Sequence, residues 1–271
     1  MAALPGDVRA RGVITYSSGN HAQGVARAAR LLGAPAVVVM PSDAPALKRE
    51  RVEADGAEVV IVGPSSDERR EVAEAIAADR GLAIIPPFDD DRIIAGQGTV
   101  GLEIVEDLPD VAAVLVPIGG GGLASGVAVA VKALAPKARV IGVESELAAD
   151  AQQSLREGRV VRWDAELVSR TIADGTRTTA LGERTFAHLS ALLDDIVTVT
   201  EAEIAAGVRL AAEESRLVVE PSGALAIAAV VYHQRELGLG DARGPAVSVV
   251  SGGNVDPDRD RALLEASIPD P

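Results

Sequence analysis

A short apolar run that ends in four consecutive glycines constrains the fold of this chain more than any other feature. Residues 111–116 are typical of a buried β-strand, Pro117 interrupts the run, and residues 123–134 are rich in Ala and Val like a helix. Between them lie Gly119, Gly120, Gly121 and Gly122. The sequence therefore predicts a strand, a glycine loop and a helix in direct succession. Residues 119–122 are called the tetraglycine loop below.

The tetraglycine loop has the properties of an anion-binding site. Glycines leave backbone N–H groups uncovered by side chains, and a helix N-terminus adds unpaired donors and a partial positive charge. A phosphate group is the predicted ligand, although a flexible strand-to-helix turn explains this stretch equally well when it is taken alone. The spacing matches neither G-x-G-x-x-G nor G-x-x-x-x-G-K-S/T, so a dinucleotide or a triphosphate is not indicated.

Apolar runs alternate with helix-like segments along the whole chain. The runs that predict strands are 12–16, 36–40, 58–62, 82–85, 111–116, 140–143, 196–199 and 246–250. This alternation predicts βαβ units and a parallel sheet, in an α/β fold whose ligands bind at the carboxyl ends of the strands. The stretch PPFDDD at 86–91 predicts a domain boundary, with a small domain over 1–88 and a large one over 89–271.

The composition excludes several classes of partner. The net charge is −14, aromatic residues make up 2% of the chain, and basic residues form no block, so nucleic acid and anionic membranes are poor candidates. Cysteine is absent, which excludes disulfides. The uncharged stretch 111–131 contains Pro117 and the tetraglycine loop, which would break a membrane helix. The N-terminus is too polar for a signal peptide, and the expected protein is soluble and cytoplasmic.

Three glycine-containing polar loops follow three separate predicted strands. They are SSGN at 17–20, the tetraglycine loop, and SGGN at 251–254. In a parallel sheet such loops lie at one edge, so they are expected to converge on one ligand. One loop suits a phosphate, and the other two offer amide and hydroxyl groups to a planar polar ring.

Five motifs in order resemble the serine/threonine dehydratase and serine racemase family, which are fold-type II enzymes that use pyridoxal 5′-phosphate (PLP). The motifs are SSGNHAQG at 17–24, PIGGGGL at 117–123, TIADG at 171–175, VEPSGA at 219–224 and SGGN at 251–254. The resemblance implies two open, mostly parallel twisted sheets flanked by helices, like the tryptophan synthase β subunit. It also implies a lyase that converts L-threonine or L-serine to a 2-oxo acid and ammonia, in a homodimer or higher homo-oligomer.

The resemblance assigns cofactor-binding roles to particular residues. Asn20 is expected to hydrogen-bond the 3′-oxygen of PLP, and Ser251 to face its pyridine nitrogen. The backbone amides of the tetraglycine loop are expected to hold the phosphate. A serine hydroxyl does not enforce a protonated pyridinium as a carboxylate would, which suits β-elimination better than transamination. Taken singly, Asn20 could instead cap a helix and Ser251 could be an ordinary turn residue.

The first glycine-containing loop is also the expected substrate site. The resemblance implies that Ser17, Ser18, Gly19 and His21 bind the carboxylate of the amino acid. Ser18 is additionally expected to deliver or remove a proton on one face of the substrate, which keeps racemisation open as a side or main activity. Alternatively, Ser18 only caps the following helix.

A divalent-cation site is implied by the resemblance to the serine racemase branch. Its expected ligands are Glu144, the carbonyl of Ala148, and Asp150. Oxygen donors of this kind suit Mg²⁺ or Ca²⁺. The alternative is a carboxylate at a strand end followed by a solvated helix start.

The family also uses a lysine that forms a Schiff base with PLP, in a Ser-x-Lys-x-Arg-Gly segment upstream of the SSGN loop. The lysines of this sequence are Lys48, Lys132 and Lys137, and none has that context; Lys48 is predicted to lie on an exposed helix. The expectation is an N-terminally truncated chain with impaired activity, through a misplaced start or a truncated gene. A serine racemase and a catalytically inactive PLP-binding protein or partner subunit are the alternative functions.

Overall fold

The computed structural model describes residues 1–17, 19–63, 66–240, 243–265 and 269. The chain divides into two compact units, Met1–Pro87 and Phe88–Pro271. The elements of the first unit are α1 (Gly6–Arg11), β1 (Val13–Tyr16), α2 (Asn20–Leu32), β2 (Ala36–Pro41), α3 (Ala46–Ala54), β3 (Glu58–Val62), α4 (Ser66–Arg80) and β4 (Ala83–Ile84).

The second unit continues the alternation of helices and strands. Its elements are α5 (Asp91–Asp107), β5 (Ala113–Pro117), α6 (Gly122–Leu134), β6 (Arg139–Ser145), α7 (Asp150–Glu157), α8 (Ala165–Val168), a 3₁₀ turn (Asp174–Thr176), α9 (Glu183–Leu192), β7 (Asp195–Val199), α10 (Glu201–Ser215), α11 (Pro221–His233), β8 (Ala246–Ser248) and α12 (Pro257–Leu264).

Each unit contains one four-stranded parallel sheet, and the two sheets have equivalent strand orders. The first sheet has the order β3-β2-β1-β4 and the second β7-β6-β5-β8. In both, the first strand in the sequence lies between its successor on one side and the last strand on the other, so the order reverses beside β1 and beside β5. Ligands of open α/β sheets bind at such a reversal point. The predicted fold class is confirmed.

Small aliphatic residues build the core of the second unit. The strand β5 is completely buried, and Val114, Val116, Ala124, Val127 and Val131 join β5 and α6 in one cluster. Helices α5 and α6 approach so closely that a Cβ on Gly101 would lie 2.8 Å from the carbonyl oxygen of Val127. This close packing explains how a chain with few aromatic residues forms a large core. Within the described residues, no helix has the length and apolarity needed to cross a membrane.

Candidate active site

The tetraglycine loop connects the end of β5 to the start of α6. Gly121 precedes α6 with φ of 89°, a left-handed conformation that favours glycine. No side chain of the described residues caps this helix N-terminus. The amides of the first turn are therefore available to an anion, at a buried position where the helix dipole also favours negative charge.

Close packing around the tetraglycine loop explains why it contains only glycine. A Cβ on Gly120 would collide with the ring of Phe88, and one on Gly122 would lie 3.0 Å from the Cα of Phe88. A Cβ on Gly119 would lie 3.2 Å from the Cα of Thr176. The loop is thus held on two sides, and backbone amides that no side chain covers are donors of the kind that suits a phosphate.

Thr185 in the first turn of α9 fixes the tetraglycine loop from a third side. Its buried hydroxyl donates a hydrogen bond of 2.8 Å to the carbonyl of Gly120. The same hydroxyl accepts a hydrogen bond of 3.0 Å from the N–H of Gly182. Thr185 lies 65 residues after Gly120, and no local pattern in the sequence marks it as part of the site.

The loop that contains Ser251 lies at the same sheet edge as the tetraglycine loop. It follows β8, which pairs in parallel with β5. Ser251 is exposed, and the carbonyl of Gly252 accepts a hydrogen bond of 3.1 Å from the N–H of Glu220 at the start of α11. The VEPSGA and SGGN motifs are therefore neighbours in the structure. The role of Ser251 toward the pyridine nitrogen stays a prediction.

The TIADG motif packs between α10, α11 and the tetraglycine loop. Its last residue, Gly175, donates a hydrogen bond of 2.8 Å from its N–H to the hydroxyl of Ser222 in α11. The following residue, Thr176, is the one that lies against Gly119. The TIADG segment therefore packs directly against the tetraglycine loop.

Glu201, the first residue of α10, holds the other end of the TIADG motif. One carboxylate oxygen accepts hydrogen bonds of 2.7 Å from the hydroxyls of Ser145 and Thr171, and the other accepts one of 2.5 Å from the N–H of Ile172. Ser145 ends β6, so this carboxylate joins β6, α10 and the TIADG motif. No motif in the sequence indicates this role for Glu201.

In the first unit, Ser17 and residues 19–21 follow β1 at the reversal point of the first sheet. Residues 17–21 are called the substrate loop below, after the role predicted for them. Ser17 donates its N–H to the carbonyl of Val39 at 3.1 Å, and its hydroxyl accepts the N–H of Gly19 at 3.3 Å. Asn20 is the first residue of α2, and Gly19 precedes it in the N-cap position. The prediction for Ser18 falls outside the described residues.

His21 lies at the start of α2 with its ring partly buried. Its Nε2 is 3.3 Å from the carbonyl oxygen of Ile85. Burial lowers the pKa of His21, and the hydrogen bond to Ile85 opposes that shift. His21 is thus a neutral hydrogen-bond donor at neutral pH.

Lys48 does not occupy the exposed position that its sequence context predicts. It is 2% exposed, and it shares the inward face of α3 with the buried Val52. A Cβ on Gly19 would lie 3.2 Å from both the Cδ and the Nζ of Lys48. The prediction of an exposed helix was based on the charged neighbours Arg49 and Glu50. It is wrong for Lys48, because α3 packs against α2 on the side that carries this lysine.

The other lysines lie away from the loops at the carboxyl edges. Lys132 at the end of α6 donates hydrogen bonds to the carboxylate of Asp194 at 2.7 Å and to the carbonyl of Ala138 at 2.9 Å. Ala138 directly precedes β6, so Lys132 lies at the opposite edge of the second sheet from the tetraglycine loop. Lys137 is exposed in the same turn.

Glu144 and Asp150 form a buried acidic pair at the carboxyl end of β6. Each is 1% exposed, and Ala148 between them is also buried. Glu144 accepts hydrogen bonds from the N–H groups of Ala151 at 3.0 Å and Gln152 at 2.8 Å. The Oδ2 of Asp150 is buried and has no hydrogen-bond partner within the described part of the chain.

The pKa values of this acidic pair are both raised. Burial raises the pKa of Asp150 to about 7. Burial, and secondarily the negative charge of Asp150, raise the pKa of Glu144 well above its usual value. Burial therefore destabilises the ionised form of both carboxyl groups. A divalent cation would offset this destabilisation, and it would bind the unpaired Oδ2 of Asp150. The described residues contain no group of three or more His, Cys, Asp and Glu side chains placed to hold a metal ion, so a cation here needs the carbonyl of Ala148 or water as well.

Comparison with known proteins identifies the family. Residues 2–252 match the family described as pyridoxal-phosphate dependent enzyme. The chain belongs to this family. The resemblance read from the five motifs is confirmed, and so is PLP as the cofactor on which the family depends.

Relatives within this family include ammonia-lyases and racemases. The chain is 42% identical to L-threo-3-hydroxyaspartate ammonia-lyase of Saccharomyces cerevisiae, over 96% of the chain and 78% of that protein. It is 43% identical to L-threonine ammonia-lyase of Geobacter sulfurreducens, over 94% of the chain but only 62% of that protein. The structure of maize serine racemase superposes with a TM-score of 0.90 at 36% identity, over 97% of the chain and 79% of that structure.

Proposed function

We propose that this protein is a PLP-dependent ammonia-lyase that converts a β-hydroxy amino acid, L-threonine or L-serine, to a 2-oxo acid and ammonia. The observation that carries the proposal is the tetraglycine loop, whose uncapped amides lie at the buried start of α6 at the reversal point of the second sheet. Two relatives of this chain, at 42% and 43% identity, are named as ammonia-lyases for L-threo-3-hydroxyaspartate and L-threonine.

The cofactor-binding roles proposed for these residues are those that the family resemblance implies. The tetraglycine loop would hold the phosphate through its N–H groups, Asn20 would bind the 3′-oxygen, and Ser251 would face the pyridine nitrogen. When bound, PLP supplies an electron sink that acidifies the α-proton of the amino acid. Because Ser251 is a neutral partner, that sink is weaker than with a carboxylate, which favours loss of a β-substituent.

The substrate loop would bind the carboxylate of the amino acid. The hydroxyl of Ser17 and the N–H groups at the start of α2 are suitable donors, because the first amides of a helix have no partner within the helix. His21 supports the loop through Ile85. Ser18 is proposed to exchange a proton with one face of the substrate Cα. Loss of the α-proton and of the β-hydroxyl then leaves a product that water converts to a 2-oxo acid and ammonia.

A divalent cation is proposed at Glu144, Asp150 and the carbonyl of Ala148. The support is the buried, unpaired oxygen of Asp150 together with the raised pKa of both carboxyl groups. Mg²⁺ or Ca²⁺ would stabilise the turn between β6 and α7.

The decisive experiment measures 2-oxo acid formation by residues 1–271 loaded with PLP. L-Threonine, L-serine and L-threo-3-hydroxyaspartate are the substrates, and a parallel protein carries the family's lysine segment at its N-terminus. We expect weak or no turnover with residues 1–271, because Lys48, Lys132 and Lys137 lack the family context, and clear turnover with the extended protein. Absence of 2-oxo acid from both proteins would overturn the proposal.

Racemisation is the second candidate activity. Ser18 in the substrate loop and the close fit to maize serine racemase favour it. Chiral analysis of the serine recovered from the same reactions distinguishes the two activities, because a racemase yields D-serine and a simple ammonia-lyase leaves only L-serine.

A further inference from the structure

Among the described residues, Lys48 is the largest buried side chain that the chemistry above does not use. Its amine is buried on α3, whereas most lysines keep their charged end in water. Burial of an ammonium is unfavourable unless polar groups surround it. A buried lysine at this position therefore requires a specific reason.

The contact between Lys48 and Gly19 shows where the side chain ends. A Cβ added to Gly19 would meet the Cδ and the Nζ of Lys48, both at 3.2 Å, and the Cε at 3.6 Å. The aliphatic part thus lies along the backbone of Gly19, and the amine lies beside the substrate loop.

Two further contacts fix α3 relative to α2. Asp55, which follows α3, pairs with Arg27 and Arg30 of α2 at 2.9 Å each. Val52 is completely buried on the same face of α3 as Lys48. The two helices therefore run side by side in the same direction, with Lys48 beside the start of α2 and Asp55 beside its last turns.

We propose that Lys48 is a positioning residue that holds the substrate loop in the conformation that binds an amino-acid carboxylate. The proposal rests on the function proposed above. The side chain of Lys48 packs against the backbone of Gly19, and its amine lies beside the loop proposed to bind the carboxylate. Without Lys48, the substrate loop loses both its support and part of its attraction for carboxylate.

Hydrogen–deuterium exchange of the peptide covering residues 17–23 tests the support directly. Lys48→Met keeps most of the aliphatic volume and removes the charge, and we expect exchange in this peptide to become about tenfold faster. Lys132→Met is the matched control in the other unit, and Asp55→Asn loosens the α2–α3 contact without changing Lys48. Unchanged exchange in Lys48→Met, or an equal increase in Asp55→Asn, would overturn the proposal.

A double-mutant cycle tests the contact with Gly19. In the wild type, the added methyl of Gly19→Ala would force Lys48 to shift, so we expect faster exchange of the substrate loop. In a Lys48→Ala background the same methyl has room, and its effect should be at least several-fold smaller. Equal effects of Gly19→Ala in both backgrounds would show that Lys48 does not support the substrate loop at Gly19.

Kinetics of the extended protein add the functional consequence. We expect Lys48→Met to raise KM for L-threonine about tenfold and to change kcat much less, because ground-state binding of the carboxylate is lost. If none of the three substrates is turned over by any form of the protein, the exchange experiments still decide the role of Lys48. If turnover is present and Lys48→Met leaves both KM and exchange unchanged, only the positioning role is wrong.

Discussion

Thr185 donates a hydrogen bond of 2.8 Å from its side chain to the main-chain carbonyl of Gly120. Both residues are buried, and they belong to segments 65 residues apart. In a trans peptide the carbonyl and the following N–H point in opposite directions. Because the carbonyl of Gly120 points to Thr185, the N–H of Gly121 points away from it. One hydroxyl thus orients an amide of the tetraglycine loop.

Replacement of Thr185 by valine tests this orientation. The change preserves the shape of the side chain and leaves the carbonyl of Gly120 without its donor, at a free-energy change of about 1–3 kcal/mol. We expect the affinity for PLP to fall about tenfold in a fluorescence titration. Thr99→Val is the control, since the hydroxyl of Thr99 bonds the carbonyl of Gly96 on the exposed face of α5. Unchanged PLP affinity in Thr185→Val would contradict the argument.

Replacement of Glu201 gives a second test, directed at the TIADG segment that packs beside the tetraglycine loop. In Glu201→Gln, an NH₂ group replaces one of the two acceptor oxygens. It then faces either the hydroxyls of Ser145 and Thr171 or the N–H of Ile172, and these hydrogen bonds are lost. We expect a loss of about 2–3 kcal/mol in the free energy of unfolding, measured with urea, together with weaker PLP binding. Glu213→Gln on the exposed side of the same helix should change stability by less than about 0.5 kcal/mol. Equal stability of the two variants would refute the role of Glu201.

Local patterns were sufficient to predict the fold class. Alternation of apolar runs and helical segments depends on residues a few positions apart, and it predicts the parallel strand pairing that the structure has. That the strands form two sheets was implied by the family resemblance. The glycine-rich motifs are also local, because each follows directly from a strand end. The family and its cofactor could therefore be predicted from the sequence, and comparison confirms both.

Contacts between distant segments could not be predicted in the same way. The helix α3 reads ALKRERVEA, which is mostly charged, and only the position of α2 shows that Lys48 faces inward. Thr185 and Glu201 contact residues 29 to 65 positions away, where no periodicity connects them. The ligand roles of Asn20, Ser251 and Asp150 stay predictions.

Addition of a divalent cation should stabilise the protein through Asp150. The unpaired Oδ2 is buried and has lost its interactions with water. A bound cation would replace those interactions, and binding to the folded state alone would stabilise it. We expect millimolar Ca²⁺ or Mg²⁺ to raise the Tm of the wild type and to leave the Tm of Asp150→Asn unchanged. Asp164→Asn, at an exposed helix start, should retain the wild-type response. A similar increase in Tm for Asp150→Asn would exclude this site as the cation-binding site.

The pKa of His21 predicts how stability changes in mild acid. Burial lowers this pKa in the folded protein below the usual value of about 6.5. The unfolded chain therefore binds the proton first as the pH falls, so the stability that His21 contributes is complete above pH 6.5 and is lost below it.

Comparison with His21→Asn isolates this contribution, because the raised pKa values of Glu144 and Asp150 act in the opposite direction in both proteins. Between pH 7.5 and pH 5.0 we expect the Tm of the wild type to fall relative to that of His21→Asn, with PLP absent throughout. His188→Asn is the control for an exposed histidine that bonds only a carbonyl of its own helix, that of Arg184. A constant difference in Tm between the wild type and His21→Asn across this range would show that the ring of His21 is as accessible to protons as in the unfolded chain.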